Sequence, residues 1–229
     1  AMGCTEPIAL AYAAAVARET LGEMPDKVVV EASGSIIKNV KSVIVPNTGH
    51  LKGINAAAAA GIVAGDPDKK LEVIATVSQE QIRQMKQFME EVPIQVVHME
   101  DGCTFDIIVT VFSGKSYAKV RIANFHTNIV LIEKNGEVLK SEAVSDDSEE
   151  GLTDRTLLDM EHIWDFAMTA DIDDVKALLD QQVAFNVAIA EEGIKNDYGA
   201  NIGKVLLDMD GNNVRVRAKA CLLYTSPSP

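Results

Sequence analysis

Three stretches of this 229-residue chain set chemically competent side chains next to one another. The first, GCTEPIALAYAAA from Gly3 to Ala15, places a thiol, a hydroxyl and a carboxylate directly before an alanine-rich run. Thr5, Glu6 and Pro7 read as a helix start. Threonine suits the cap, proline the first turn, and glutamate the positive end of the helix dipole. Capping has no use for Cys4. A thiol beside free helix N–H groups is biased toward thiolate, the form that attacks and binds metals. The alternative is a small buried apolar residue.

The second stretch, PNTGHLKGINAAAAAG from Pro46 to Gly61, runs Asn47, Thr48, Gly49 and His50 into a small-residue helix. Backbone N–H groups at that helix start can hold a carboxylate, with glycine permitting close approach; an ordinary turn with a tight helix contact explains the same residues. The third, NFHTNIVLIE, sets His126, Thr127 and Asn128 at the head of an apolar strand. They form either the lip of a site or a plain strand entry. Other signals have simpler explanations. SGKS at 113–116 lacks the first glycine of a phosphate loop, since Val109 stands there, and reads as a hairpin turn. DIDD at 171–174 reads as a helix N-terminus rather than a metal site. The four histidines show no zinc-ligand spacing.

The elements that must position these groups indicate an α+β fold: an antiparallel β meander flanked by N-terminal and C-terminal helices. Residues 1–93 are expected to be mainly helical, with helices over 7–21, in INAAAAAGIVAG and in SQEQIRQMKQFMEE. KVVVEAS at 27–33 reads as a strand, and the following twenty residues as a strand or two feeding a polar loop. The meander covers 94–143, an acidic linker follows, and helices resume over 152–209. CLLYTSPSP, 221–229, breaks in composition and resembles a translated sequencing adaptor. It is expected to be a non-native tail on a native 1–220 segment of a longer catalytic domain.

A net charge of −13 without a basic stripe argues against nucleic acid and anionic membranes as partners. The longest small-apolar run is too short and glycine-rich to span a bilayer. Three scattered cysteines are no disulfide framework, so a reduced, cytoplasmic protein is expected. Nothing here opposes a homo-oligomer.

Taken together, GCTEPIALA, VPNTGHLKGINAAAA, HTNIV.IE.NG and EG...DYGANIGK resemble the L-cysteine desulfidase family, related to the iron–sulfur L-serine dehydratase α chain. The likeness is collinear from Gly3 to about Leu207. It implies a lyase that breaks L-cysteine down to pyruvate, ammonia and sulfide on a [4Fe–4S] cluster with one open iron. By that resemblance Cys4 is a cluster ligand, and the other two cysteines belong to a C-terminal half that this chain lacks. His126 is the candidate base, because imidazole works near neutral pH. Asn47, Thr48, Gly49, His50, Thr127 and Asn128 are the candidate substrate-binding residues for a small amino acid, expected to meet Cys4 on one concave surface. L-Serine dehydration is the near alternative, and a non-catalytic module binding a small carboxylate the alternative of another class. With Cys4 and Cys103 its only native cysteines, the chain alone is expected to be inactive. Part of the INAAAAAGIVAG helix is expected to lie exposed.

Overall fold

The computed structural model describes residues 5–144, 157–196 and 202–210. The chain divides into two compact units, one of Thr5–Asp146 and one holding the helices beyond it. The fold is α+β, with a six-stranded sheet in the order β2-β1-β3-β4-β5-β6 and helices at both ends of the chain.

The first unit is built on an alanine-rich helix, α1 (Glu6–Leu21), which ends at Gly22 in the left-handed conformation (φ 89°). Ala9, Ala11, Ala13, Ala14, Ala15 and Ala17 are all fully buried, because α1 is enclosed by the sheet and by α3 (Gly53–Ala64). The small side chains serve close approach. A Cβ added at Gly61 would lie 2.0 Å from the Ala11 carbonyl oxygen, and one at Gly65 2.7 Å from the Ala15 Cβ. Both contacts advance four residues along each helix, so α1 and α3 run parallel and start at the same end of the unit. Ala56–Ala60 are fully buried, so the expected exposure of this helix is corrected: α1 covers it within the chain.

β1 (Lys27–Ser33) buries Val28, Val30 and Ala32 on the helix side. The residues after it depart from expectation. Ser33, extended (ψ 155°), accepts from the Ile36 N–H and starts a helix, α2 (Gly34–Val40), where a strand was expected. A single bridge, Ile44 to Lys52, then closes the polar loop. After a short 3-10 helix (Pro67–Glu72), α4 (Gln79–Glu91) begins with a reciprocal Ser78–Gln81 capping box. It buries Ile82, Met85 and Phe88, and Met89 packs partly buried against the same core.

Four strands form the meander: β3 (Asp106–Ser113), β4 (Ser116–Ala123), β5 (Ile129–Lys134) and β6 (Glu137–Ser141). The SGKS turn is a hairpin, as expected, and KNGE at 134–137 forms another. Gly114 (φ 57°), Asn135 (φ 51°) and Gly136 (φ 86°) supply the left-handed positions. β2 (Ile94–Met99) does not belong to the meander. It lies at the sheet edge, parallel to β1, with Val28 opposite Ile94. The sixty residues between β1 and β2 make the long crossover that parallel pairing requires, and the two-residue turns elsewhere enforce antiparallel pairing. Within the mainly helical 1–93, KVVVEAS forms the strand expected of it, β1, and takes an interior place in the sheet.

The second unit holds α5 (Met160–Thr169), α6 (Ile172–Lys195) and α7 (Ile202–Asp210). Asp171 caps α6 through the Asp173 N–H, so DIDD is a helix start. Trp164, Phe166, Met168, Leu178 and Val183 are exposed on these helices. The apolar surface expected on the alanine helix is found here instead. The acidic linker and the 221–229 tail lie outside the described residues. No helix among the described residues is long and apolar enough to cross a membrane.

Candidate functional site

The sheet end where β1 and β2 stop and β3 begins also receives the start of α1 and the β4–β5 loop. Thr5 occupies the cap position of α1, yet its side chain makes no capping bond. Its hydroxyl lies 2.8 Å from the His126 Nε2 instead. The local helix rule is broken in favour of a contact 121 residues away, as functional sites often show. With Nε2 as acceptor, the hydroxyl donates and the ring proton sits on Nδ1. With the other tautomer, Nε2–H donates to Thr5 and Nδ1 is the free base.

The imidazole is half-buried, and the Phe105 ring lies against it at 4.5 Å between centroids. Burial lowers its pKa below the usual 6.5; the nearby Glu6 carboxylate opposes this without reversing it. The shift favours the neutral imidazole at physiological pH. Glu6 in turn accepts from the Asn39 side-chain amide at 3.3 Å. The loop bearing His126 is closed by its own backbone, the Ala123 N–H donating to the Asn128 carbonyl at 3.1 Å and the Asn128 N–H to the Phe125 carbonyl at 3.0 Å; Asn124, left-handed (φ 68°), donates its N–H outward to the Phe105 carbonyl at 2.9 Å.

The other candidate residues are placed differently. Asn128 donates its side-chain amide to the Ala123 carbonyl at 3.0 Å and so helps close this loop, while Thr127 is exposed beside it. In the second stretch, Asn47 donates to the Ile74 and Ala75 carbonyls at 2.9 and 3.3 Å. Thr48, 1% exposed, donates to the Val45 carbonyl at 2.7 Å. Gly49 (φ 66°) sits against Ile82, where an added Cβ would lie 3.0 Å from a side-chain methyl. Thr48 thus holds the loop itself, and Asn47 fastens it to the segment before α4. His50, left-handed at φ 69°, is exposed. The backbone at the start of α3 has no side-chain cap, and by the parallel packing it lies at the same end of the unit as the start of α1. Cys4 lies outside the described residues; Thr5, its neighbour in the chain, is the residue bonded to His126.

Sequence reasoning missed an ion pair that begins at the residue directly after Phe105. Asp106 is fully buried and pairs with Arg121 through two bonds, Nε to Oδ1 at 2.9 Å and Nη2 to Oδ2 at 2.6 Å. Asp106 and Arg121 lie on the same sheet face at neighbouring positions of β3 and β4. A carboxylate and a guanidinium at in-phase positions of two adjacent apolar strands were the available signal. Cys103 Sγ is 3.3 Å from both the Asp106 Oδ2 and the Phe105 carbonyl oxygen. Burial, then the Asp106 carboxylate, push its pKa up, as expected of its acidic surroundings.

These facts bear on an iron–sulfur cluster. Ligation needs thiolates, and Cys103 is held as a protonated thiol. Among the described residues no group of three or more histidine, cysteine or acidic side chains is placed to hold a metal ion. The described donor set therefore does not fit a complete cluster. A shallow groove of ≈ 350 Å³ on the sheet face that carries Asp106 and Arg121, between Val29, Val97, Phe112 and Tyr117, contains none of the candidate residues.

This chain is similar to UPF0597 proteins. It is 55% identical over 220 residues to one from Desulfitobacterium hafniense (strain Y51), covering 96% of this chain and 51% of that protein. It is 44% identical over 220 residues to one from Lachnoclostridium phytofermentans, covering 96% and 52%. A third, from Fusobacterium nucleatum, is 43% identical over 224 residues, covering 95% and 52%. The chain spans about half the length of the curated relatives it matches, whose shared name states no reaction. No protein-family model matches it, and no solved structure does.

Proposed function

We propose that this chain supplies part of the site of a lyase acting on a small α-amino acid, with L-cysteine the preferred substrate and L-serine the next. The observation that carries the reading is the Thr5–His126 contact. It fixes a neutral imidazole at the start of α1, one residue along the chain from Cys4. His126 takes the α-proton. The freed electron pair forms the Cα=Cβ bond and breaks the bond from Cβ to sulfur, which leaves as hydrosulfide. The aminoacrylate then tautomerises, and water hydrolyses it to pyruvate and ammonia.

Half-burial of His126 against Phe105 keeps the base unprotonated before substrate arrives, and Thr5 holds its orientation. Cys4 is the candidate thiolate for a [4Fe–4S] cluster, whose remaining ligands would come from outside the described residues. Thr127 and His50, exposed, are the members of the candidate binding set whose side chains are open to a ligand. We place the protein in the cytoplasm, where its thiols stay reduced.

A second reading is favoured by one observation. The starts of α1 and α3, both without side-chain caps, face the same end of the unit and together suit a carboxylate without any chemistry. One experiment separates the two readings. The complete D. hafniense relative is reconstituted with iron and sulfide without oxygen. It is then assayed for sulfide release from L-cysteine and pyruvate formation from L-serine. Turnover with a broad visible absorbance supports the lyase, with the 229-residue chain alone inactive. Calorimetric carboxylate binding without turnover supports the binding module and removes the lyase reading.

A further inference from the structure

Fully buried Asp106, next in the chain to the Phe105 that touches the candidate base, pairs with Arg121, which is 28% exposed, and a contribution to stability is a weak reason for the pair to be there. Removing two charges from water costs several kcal/mol per ion, and apolar residues often replace such pairs without loss. Its geometry indicates another role. Asp106 Oδ2 accepts from the Arg121 Nη2, and from the backbone N–H and the S–H of Cys103, both at 3.3 Å, while Oδ1 takes the Arg121 Nε–H. The fully buried carboxylate thus clamps the turn Cys103–Asp106 against β4. Ser33 fastens the same turn from β1, its hydroxyl donating to the Thr104 carbonyl at 2.8 Å.

Arg121 lies on β4 just ahead of the loop that carries His126, so the ion pair ties the roots of two loops together. The backbone bond from the Asn124 N–H to the Phe105 carbonyl ties them again. What this doubly fastened turn presents to the His126 loop is the ring of Phe105, tilted 55° to the imidazole.

Resting on the reading of His126 as the base, we propose that Asp106, paired with Arg121, is a positioning residue that acts through Cys103 and Phe105 to fix the ring of His126. Thr5 grips the imidazole at Nε2 while Phe105 limits its rotation from the side. The thiol of Cys103 serves as a hydrogen-bond donor to the clamp, a role its raised pKa suits.

The test uses the full 229-residue chain labelled with 15N-histidine. Ring signals of His126 are assigned by their loss in His126→Gln. In the unsubstituted chain, the His126 ring protons should show the upfield displacement that a nearby aromatic face produces, and the ring nitrogens should show one dominant tautomer. Asp106→Asn keeps Phe105 in the sequence, so loss of the upfield displacement there reports that Phe105 has left the imidazole. Phe105→Leu keeps the ion pair, and a changed tautomer ratio there reports that the ring had been held. Should Asp106→Asn fail to fold, Cys103→Ala, which leaves the Arg121 pair in place, carries the first reading. Unaltered His126 displacement in folded Asp106→Asn or Cys103→Ala overturns the proposal, as does an unaltered tautomer in Phe105→Leu. These signals depend on no turnover. If they respond as expected but the same changes leave the complete relative's turnover intact, the base assignment fails and the positioning stands.

Discussion

Replacing Gly61 by alanine puts a methyl where α3 meets α1 backbone to backbone. The added Cβ would lie 2.0 Å from the Ala11 carbonyl oxygen, 2.8 Å from its carbon and 2.9 Å from its Cα. Ordinary contact begins at about 3.5 Å, so the helices must part by roughly 1.5 Å at that point. Main-chain atoms cannot step aside as a flexible side-chain end can. The fully buried alanines along both helices have no spare length to refill the gap. A radial gap of about 0.5–1 Å already forfeits a quarter to a half of each dispersion contact. Overpacking costs about 1–3 kcal/mol, and this site belongs at the upper end; alanine returns about 1 kcal/mol through helix propensity. The net loss is therefore about 2 kcal/mol, a fall of about 4–8 °C in Tm for a chain of this size. Thermal unfolding followed by circular dichroism measures it. Asn55→Ala, on an exposed position of the same helix, is the control and should stay within about 0.5 kcal/mol. A Gly61→Ala chain that melts at or above the parent would refute the close packing on which the placement of Thr5 depends.

Three further outcomes follow from the site. Because Thr5 bonds His126 and does not cap α1, a double-mutant cycle of Thr5→Val and His126→Phe should show a coupling of about 1 kcal/mol in unfolding free energy; strictly additive losses would mean that the hydroxyl works elsewhere. The folded imidazole takes up its proton only below the ordinary 6.5, so its contribution to stability is complete above that pH. It is lost as pH falls from 6.5 toward the lower folded value, because the unfolded chain then binds more protons. Denaturant unfolding between pH 7.5 and 5 should accordingly be steeper in pH for the parent than for His126→Gln, and parallel curves would contradict the burial argument. Cys103 should react with iodoacetamide at pH 8 more slowly than in the denatured chain and faster once Asp106 is asparagine, read by mass spectrometry of its peptide; equal rates throughout would show that neither burial nor Asp106 restrains the thiol.

Much of the architecture could be read directly from residue patterns. The alternation in FDIIVTVFS and YAKVRIANF, with SGKS between them, specified a hairpin, and KNGE specified another, because two-residue turns leave little choice of pairing. The partner of β2 was not legible in the same way. An edge strand such as IQVVHME carries no local mark of its neighbour, and a sixty-residue crossover decides its direction. GSIIKNV was misread because two adjacent isoleucines favour a strand locally, whereas the Ser33 cap and the burial of Ile36 and Val40 favour a helix. In the site, His126 stood out by type and Thr5 by position, but their hydrogen bond crosses 121 residues and leaves no trace in spacing. Asn47 and Thr48 were chosen as free polar groups, yet Thr48 satisfies the loop's own Val45 carbonyl and Asn47 ties the loop to the Ile74 and Ala75 carbonyls. The pairing of Asp106 with Arg121 escaped notice because an acid at a strand entry usually faces water; only the in-phase Arg121 distinguishes it.

The central claim is that His126 removes the α-proton of a small amino acid at the start of α1. Its most direct measurement is the exchange of the L-cysteine α-hydrogen with deuterium from solvent, catalysed by the complete D. hafniense relative reconstituted without oxygen. The comparison is with the same protein carrying glutamine at the position of His126. The account predicts exchange in the parent and a rate lower by about 10²–10⁴-fold in the glutamine variant, with the cluster's visible absorbance retained. Exchange at the parent rate in that variant would contradict it.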